Sequence, residues 1–216
     1  MAEKNEFIPA LGFEFLTKFY DSAIRWTMPE KKFRQRLIDE LLLKENDKVL
    51  EFGFGTGQNL ILAKENCPKA EIVGLDIDPK VKSIAEQKII SLNLEIELNL
   101  YDGKSFPFAD KTFDKVYSSL VFHQLDKITK TLCLQEIKRV LKPSGVLLIG
   151  DWGKPKSALM RLPFYAVQIL DGFETTRDNV KGLLPELIKK AGFRNVEEIG
   201  YINTKIGVYC YYKGLK

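Results

Sequence analysis

Short apolar runs and amphipathic stretches alternate through the middle of the chain. Lys48–Phe52 (KVLEF) reads as a strand that runs into a glycine cluster, and Gln58–Glu65 follows as a helix. Glu71–Asp76 (EIVGLD) is a second strand. Asp78 and Pro79 then signal a helix start, with Asp as the N-cap and Pro in the first turn, and that helix runs to about Ile90. Leu94–Tyr101 alternates apolar and polar positions as a third strand, and Phe113–Ser118 (FDKVYS) is a fourth. Leu132–Leu141 is a helix broken by Pro143 and Gly145, and Gly145–Asp151 (GVLLIGD) is the fifth strand. Strands separated by helices imply right-handed crossovers and a mostly parallel sheet.

The flanks differ from this core. Phe7, Phe13, Phe15, Phe19, Tyr20 and Trp26 make the start of the chain aromatic-rich. Pro29 to Leu43 reads as an amphipathic helix, with Pro29 at its first position and Phe33, Leu37, Leu41 and Leu42 at near-helical spacing. After the fifth strand, Ser157–Leu170 is a helix rich in large apolar residues, and Asn179–Ala191 is another, closed by Gly192. Two strand candidates, Asn195–Tyr201 and Ile206–Tyr212, are close enough to form a hairpin, so the last strand is expected to run antiparallel. A chain of 216 residues is then read as one domain. Residues 1–46 form a helical cap, 47–152 the core, and 153–216 the remaining helices and hairpin.

Composition removes several function classes. Cys67, Cys133 and Cys210 are scattered with no CxxC, which speaks against a disulfide framework or a zinc ribbon, and no metal site is expected. One histidine, His123, excludes multi-histidine metal centres. The N-terminus has no apolar leader and no stretch suits a membrane span, so a cytoplasmic location is the expectation. The formal charge of +4 lies wholly in residues 151–216, where 11 basic side chains face 7 acidic ones. That bias is too mild for a phosphate-backbone partner, so no nucleic acid is expected.

The chemistry is concentrated in Val49–Asn59 (VLEFGFGTGQN), where a strand runs through Gly53, Gly55 and Gly57 into a helix. Glycines at such a turn let a ligand touch the backbone, and in open α/β sheets ligands bind at this carboxyl edge. Dinucleotide folds favour G-x-G-x-x-G with a pyrophosphate on the helix N-terminus. Here the spacing is Gly53-x-Gly55-x-Gly57, and Glu51 precedes it. A carboxylate there repels pyrophosphate and suits a ligand with an ammonium group. S-adenosylmethionine carries one, together with a sulfonium and no phosphate. Asp76, 19 residues beyond Gly57 at the end of the second strand, suits ribose hydroxyls in either ligand class. Asp102-Gly103, after the third strand, is either a simple turn or a partner for an adenine amino group.

At this point the chain resembles the class I S-adenosylmethionine-dependent methyltransferases, in particular the group around the ubiquinone and menaquinone biosynthesis C-methyltransferases. VLEFGFGTGQN, IVGLDIDPKVKSIAEQK, YDGKSFPFADKTFDKVYSSLVFHQL and LQEIKRVLKPSGVLLIGDW match that group's motifs in order. The resemblance covers roughly residues 45–152, and the remainder more loosely. It implies an α/β Rossmann-like doubly wound fold: a seven-stranded, mostly parallel sheet of order 3-2-1-4-5-7-6, an antiparallel last strand, and helices on both faces. It also implies roles. Glu51, Gly53, Gly55, Gly57 and Asn59 would serve the methionine part of the cofactor, Asp76 the ribose, and Ile77, Asp102 and Gly103 the adenine. Ser118 and Ser119 would pass near the sulfonium. Phe54, where many relatives carry a small residue, is expected to tighten the pocket.

The expected function is methyl transfer from S-adenosylmethionine to a small, lipophilic molecule, leaving S-adenosylhomocysteine. A nicotinamide-dependent oxidoreductase and a non-catalytic binding protein of the same fold are the alternatives. Base-flipping amino-methylation is disfavoured because SSLVF stands where N/D-P-P-Y would be needed. His123 stands where an acceptor would sit; it is either a general base or a structural loop residue. Asp151 and Tyr20 are further pocket candidates. The aromatic N-terminal segment is a lid or a packed cap, and Ala158–Leu170 walls a lipophilic site or simply packs. Arg161 and Arg177 would favour an anionic acceptor.

Overall fold

The computed structural model describes residues 29–216. The elements are α1 (Glu30–Leu41), β1 (Lys48–Phe52), α2 (Gln58–Asn66), β2 (Glu71–Asp76), α3 (Pro79–Ser91), β3 (Glu97–Leu100) and β4 (Phe113–Ser119). A 3-10 turn (Phe122–Gln124) leads to α4 (Lys127–Val140), β5 (Leu141–Trp152), α5 (Ala158–Asp171), α6 (Phe173–Lys181), α7 (Leu184–Lys190), β6 (Arg194–Asn203) and β7 (Val208–Leu215). They build one seven-stranded sheet in the order β3-β2-β1-β4-β5-β7-β6. The pairs among β1 to β5 are parallel, and β7 lies antiparallel between β5 and β6. This is the order and the antiparallel last strand that the resemblance implied.

Alternate residues of each strand feed two apolar layers, as the period-2 geometry requires. On one face Val49, Ile72, Tyr117, Leu148 and Tyr209 pack against Leu37 of α1, Leu60 of α2, Ala85 of α3 and Phe164 of α5. On the other, Leu50, Val73, Val116, Leu147 and Cys210 meet Leu134 and Ile137 of α4 and Leu187 of α7. The central strands are buried on both sides and place their C-terminal ends along one edge.

Local chemistry explains where element boundaries depart from expectation. Pro29 is the N-cap of α1 rather than its first residue, and the helix stops at Leu41 because Leu42 turns left-handed at φ 49°. Asp78 caps α3 as read, accepting from the Lys80 N–H at 2.8 Å. α4 starts five residues before Leu132 because Asp126 accepts from the Thr129 N–H at 2.7 Å. β3 is shorter than Leu94–Tyr101, and the segment Asn179–Ala191 is two helices. Gly182, at φ 72°, caps α6, and Pro185 starts α7. Tyr20 and the segment read as a lid lie outside the described residues, apart from α1.

The Asp126 cap supplies one of the orphan N–H groups of α4 with a partner. Asp126→Ala is expected to lower the unfolding free energy by about 1 kcal/mol, measured by urea denaturation; an unchanged midpoint would contradict the assignment.

Candidate cofactor and acceptor site

The loop after β1 is built around a buried carboxylate. Glu51 is buried on the α1 and α2 face of the sheet. Its Oε1 accepts from Asn59 Nδ2 at 2.9 Å and its Oε2 from the Tyr117 hydroxyl at 3.1 Å. Asn59 in turn accepts at Oδ1 from Arg34 Nη1 at 2.9 Å, and Arg34 Nε donates to Glu30 at 2.9 Å. Burial pushes the Glu51 pKa up to about 8, against the opposing pull of Asn59, Arg34 and Tyr117. Desolvation thus favours the neutral form of this carboxyl, and a cation beside it would favour the ionised form.

Beyond it the backbone turns back on itself. Gly53 adopts φ 74°, and a Cβ there would lie 2.3 Å from Val121 Cγ2, so only glycine fits. Gly57, at φ 81°, is the N-cap of α2. Gly55 donates its N–H to Asp76 Oδ2 at 2.8 Å, and no atom stands within 4 Å of the place its Cβ would occupy. Asp76 Oδ1 accepts from the N–H groups of Ile77 at 2.8 Å and Asp78 at 3.1 Å. Burial raises the Asp76 pKa, and these three backbone donors oppose it. Phe54 does not tighten this region. It turns into the core over Gly74, where a side chain would meet the Phe54 ring at 2.7 Å.

Asp102 is exposed, and its Oδ1 caps the turn that follows, accepting from Lys104 N–H at 2.9 Å and Ser105 N–H at 3.2 Å. The Lys104 and Ser105 N–H groups hold its carboxyl below the usual range. Gly103 lies beside Ile77: a Cβ at Gly103 would be 3.1 Å from Ile77 Cδ1. Ile77, Asp102 and Gly103 thus share one corner, at the end of β3 next to Asp76.

The serines are engaged within the protein. Ser118 Oγ donates to the Phe52 carbonyl at 2.8 Å and pins the end of β4 to the end of β1. The Ser119 and Tyr209 hydroxyls share a bond of 2.8 Å. Leu120 then adopts φ 58° while buried, an unfavourable backbone state for a leucine at the rim of the sheet.

His123 is buried in a charged setting. Its Nδ1 lies 2.7 Å from Asp151 Oδ1, its N–H donates to Asp151 Oδ2 at 3.2 Å, and its Nε2 lies 3.5 Å from Asp171 of α5. Asp151 also accepts from the Trp152 N–H at 2.6 Å. Burial alone would lower the His123 pKa, but the Asp151 and Asp171 carboxylates outweigh it and hold the pKa well above 6.5. Nearby, Lys130 is buried, donates to the Thr175 carbonyl at 2.7 Å and lies 3.6 Å from Asp178. Asn179 donates to the Trp152 carbonyl at 2.9 Å, and its buried Oδ1 has no partner among the described residues.

Arg34, Tyr117, Asp171 and Asn179 were not singled out by sequence. Tyr117 alone carried a signal: it precedes Ser118 on β4 and pairs in register with Glu51.

Two titrations follow. Because the folded pKa of His123 is raised, its pairing stabilises fully below about 6.5 and is lost as pH rises through the folded value. The ring resonances should show no titration at 6.5; a midpoint there would refute the pairing. Glu51 has the opposite cost: with its folded pKa raised, stability falls as pH rises from 4.5 to about 8 and stays reduced above. Glu51→Gln is therefore expected to raise thermal stability above about pH 8 relative to the parent, with little gain below pH 4.5.

Residues 50–149 match the family model described as the methyltransferase domain. The demethylmenaquinone methyltransferase of Thermus thermophilus is 32% identical over 133 residues, 62% of this chain. The chain spans 60% of that relative's length. The ubiquinone/menaquinone biosynthesis C-methyltransferase UbiE of Neisseria meningitidis is 27% identical over 192 residues, 81% of this chain and 76% of that protein. Among solved structures, a SAM-dependent methyltransferase from Aquifex aeolicus superposes with a TM-score of 0.67 at 21% identity, over 90% of this chain and 97% of that one, and shares the fold. The domain match, the relatives and the shared fold make this chain similar to the class I S-adenosylmethionine-dependent methyltransferases.

Proposed function

We propose that the protein transfers a methyl group from S-adenosylmethionine to a small lipophilic acceptor of the hydroquinone type. The observation that carries the cofactor half of this reading is the buried Glu51 carboxyl, its pKa raised by desolvation, beside an open glycine turn. The residues present fit the cofactor. Glu51 would pair with the ammonium, the Gly53–Gly57 turn would lie against the methionine part, Asp76 would accept from the ribose, and Ile77 with Asp102 and Gly103 would border the adenine. A pyrophosphate next to Glu51 would meet a carboxylate, which disfavours the nicotinamide alternative.

When bound, the cofactor supplies an activated methyl group, and its transfer is an SN2 displacement in which charge is dispersed. The protein's share is alignment and dryness. Asn59, Tyr117 and Arg34 fix the Glu51 carboxyl. Ser118, bonded to Phe52, fixes the spacing of β1 and β4 beneath the reacting groups. His123, held charged between Asp151 and Asp171, has no lone pair with which to take a proton. Its task in this reading is to hold the end of α5 to β5, so it is a positioning residue rather than a base. Asn179 Oδ1, buried and unpaired beside Trp152, would accept a bond from an acceptor hydroxyl. The hydroquinone class takes further support from the relatives named for demethylmenaquinone and ubiquinone/menaquinone methylation.

Calorimetry with S-adenosylhomocysteine tests the cofactor half. Asp76→Ala is expected to weaken binding at least about tenfold, or about 1.4 kcal/mol. An ammonium that ionises Glu51 releases its proton, so binding should tighten as pH rises to about 8. The measured enthalpy should also vary with buffer ionisation; a buffer-independent enthalpy at neutral pH would refute the Glu51 pairing. Release of S-adenosylhomocysteine with a short-chain demethylmenaquinol tests the acceptor, and no turnover would remove the hydroquinone class.

A further inference from the structure

Helix α5 is apolar on both sides. Phe164 and Val167 are buried, Phe164 lying over Trp152 with ring centroids 5.5 Å apart. The opposite side carries Leu162, Tyr165 and Ile169, which are 64%, 43% and 72% exposed. These positions, spaced three and four apart, form one stripe along the helix. The stripe continues onto the next helix through Phe173, 55% exposed, whose ring lies 6.5 Å from that of Tyr165. A contiguous exposed apolar surface of this kind marks an interaction site.

Its border is cationic. Arg177 and Lys181 follow Phe173 at helical spacing along α6, and both are exposed, as is Lys154, whose stem lies against Gly182 at the end of α6. Arg161 stacks over Tyr165 at 4.1 Å. Between residues 154 and 181 the exposed carboxylate is Glu174. Asp171 and Asp178 are turned inward to His123 and Lys130. Two of the three acids of this segment are thus paired inside, while Lys154, Arg177 and Lys181 face out.

We propose that the outer face of α5 and the start of α6 dock on an anionic lipid surface, with Leu162, Tyr165, Ile169 and Phe173 in the acyl boundary and Lys154, Arg177 and Lys181 against the headgroups. A convex helix with an apolar stripe and basic flanks has the form of an interfacial helix. Long basic side chains reach headgroups while their stems cover apolar surface. A second copy of the chain is disfavoured, because an isologous contact would bring these cations against their own images. No helix among the described residues is long and apolar enough to cross a membrane, so the helix lies on the surface. The proposal rests on the reading of a lipophilic acceptor: α5 packs through Phe164 on Trp152 at the end of β5 and reaches His123 through Asp171, so an acceptor dissolved in a bilayer would arrive next to the His123 pair.

Co-sedimentation with vesicles tests this. The full chain is expected to sediment with phosphatidylcholine vesicles containing phosphatidylglycerol, to bind pure phosphatidylcholine weakly, and to detach as salt is raised. Leu162→Gln together with Ile169→Gln should weaken vesicle binding at least about tenfold. S-adenosylhomocysteine binding, measured on the same samples, should be unchanged, which keeps failure of this surface distinct from failure of the methyl-transfer reading. If that variant misfolds, Arg177→Glu with Lys181→Glu should produce the same loss. Absence of binding to the anionic vesicles, or binding that survives in a folded variant, would overturn the proposal. So would a dimer that the apolar variant abolishes in the absence of vesicle binding, which would assign the stripe to a second copy.

Discussion

The carboxyl of Glu51 is the constraint around which the first half of the molecule is arranged. A buried acid must be hydrogen-bonded or neutral. Asn59 and Tyr117 bond it, and desolvation raises its pKa toward the neutral form. Satisfying it draws in three elements. Asn59 brings the first turn of α2, Tyr117 brings β4, and Arg34 brings α1 through the Asn59 amide. The amide has one orientation that works, with its oxygen toward the guanidinium and its nitrogen toward the carboxyl. The polar chain from Glu30 to Tyr117 therefore fixes α1 across the start of α2, and the glycine turn is built on a braced support.

The strand ends are tied in the same manner. Ser118 bonds the last carbonyl of β1, Gly53 N–H bonds the Leu75 carbonyl of β2 at 2.7 Å, and Tyr101 N–H bonds the Asp76 carbonyl at 3.1 Å. Four neighbouring strands are thereby held together at the edge where their loops diverge. The close approach of Val121 to Gly53 makes the turn after β1 and the turn after β4 a single packed unit. The left-handed Leu120 belongs to that unit, since it directs the chain from β4 down into the turn that carries His123.

The half proposed to bind the cofactor was legible because its determinants are close in sequence. The glycine spacing, the acid two residues before it and the Asp78-Pro79 helix start each act within a few residues, and the structure puts β1, β2 and α3 within a residue or so of the reading. Side-chain direction was not legible. Phe54 faces the core because Gly74 leaves room for it, a fact held 20 residues away. Ser118 and Ser119 spend their hydroxyls on Phe52 and Tyr209, partners that only the sheet brings near. The split of Asn179–Ala191 into two helices was written in Gly182 and Pro185. The late segment's amphipathic spacing had hidden it.

The half proposed to take the acceptor was least legible, since its organising contacts join residues far apart in the chain. Asp171 reaches His123 from the end of α5, and Lys130 reaches Asp178 from α4. These pairs obey a different electrostatic logic from that of Glu51. The Glu51 pKa is raised by burial, and among the described residues its bonded partners, Asn59 and Tyr117, are neutral. At His123 the Asp151 and Asp171 carboxylates outweigh burial and raise the pKa, which favours the charged ring. In the proposed function the first group would respond to a cationic ligand, and the second would hold the end of α5 to β5. Such a division would suit the proposed methyl transfer, with a charged donor beside Glu51 and an acceptor beside the paired His123.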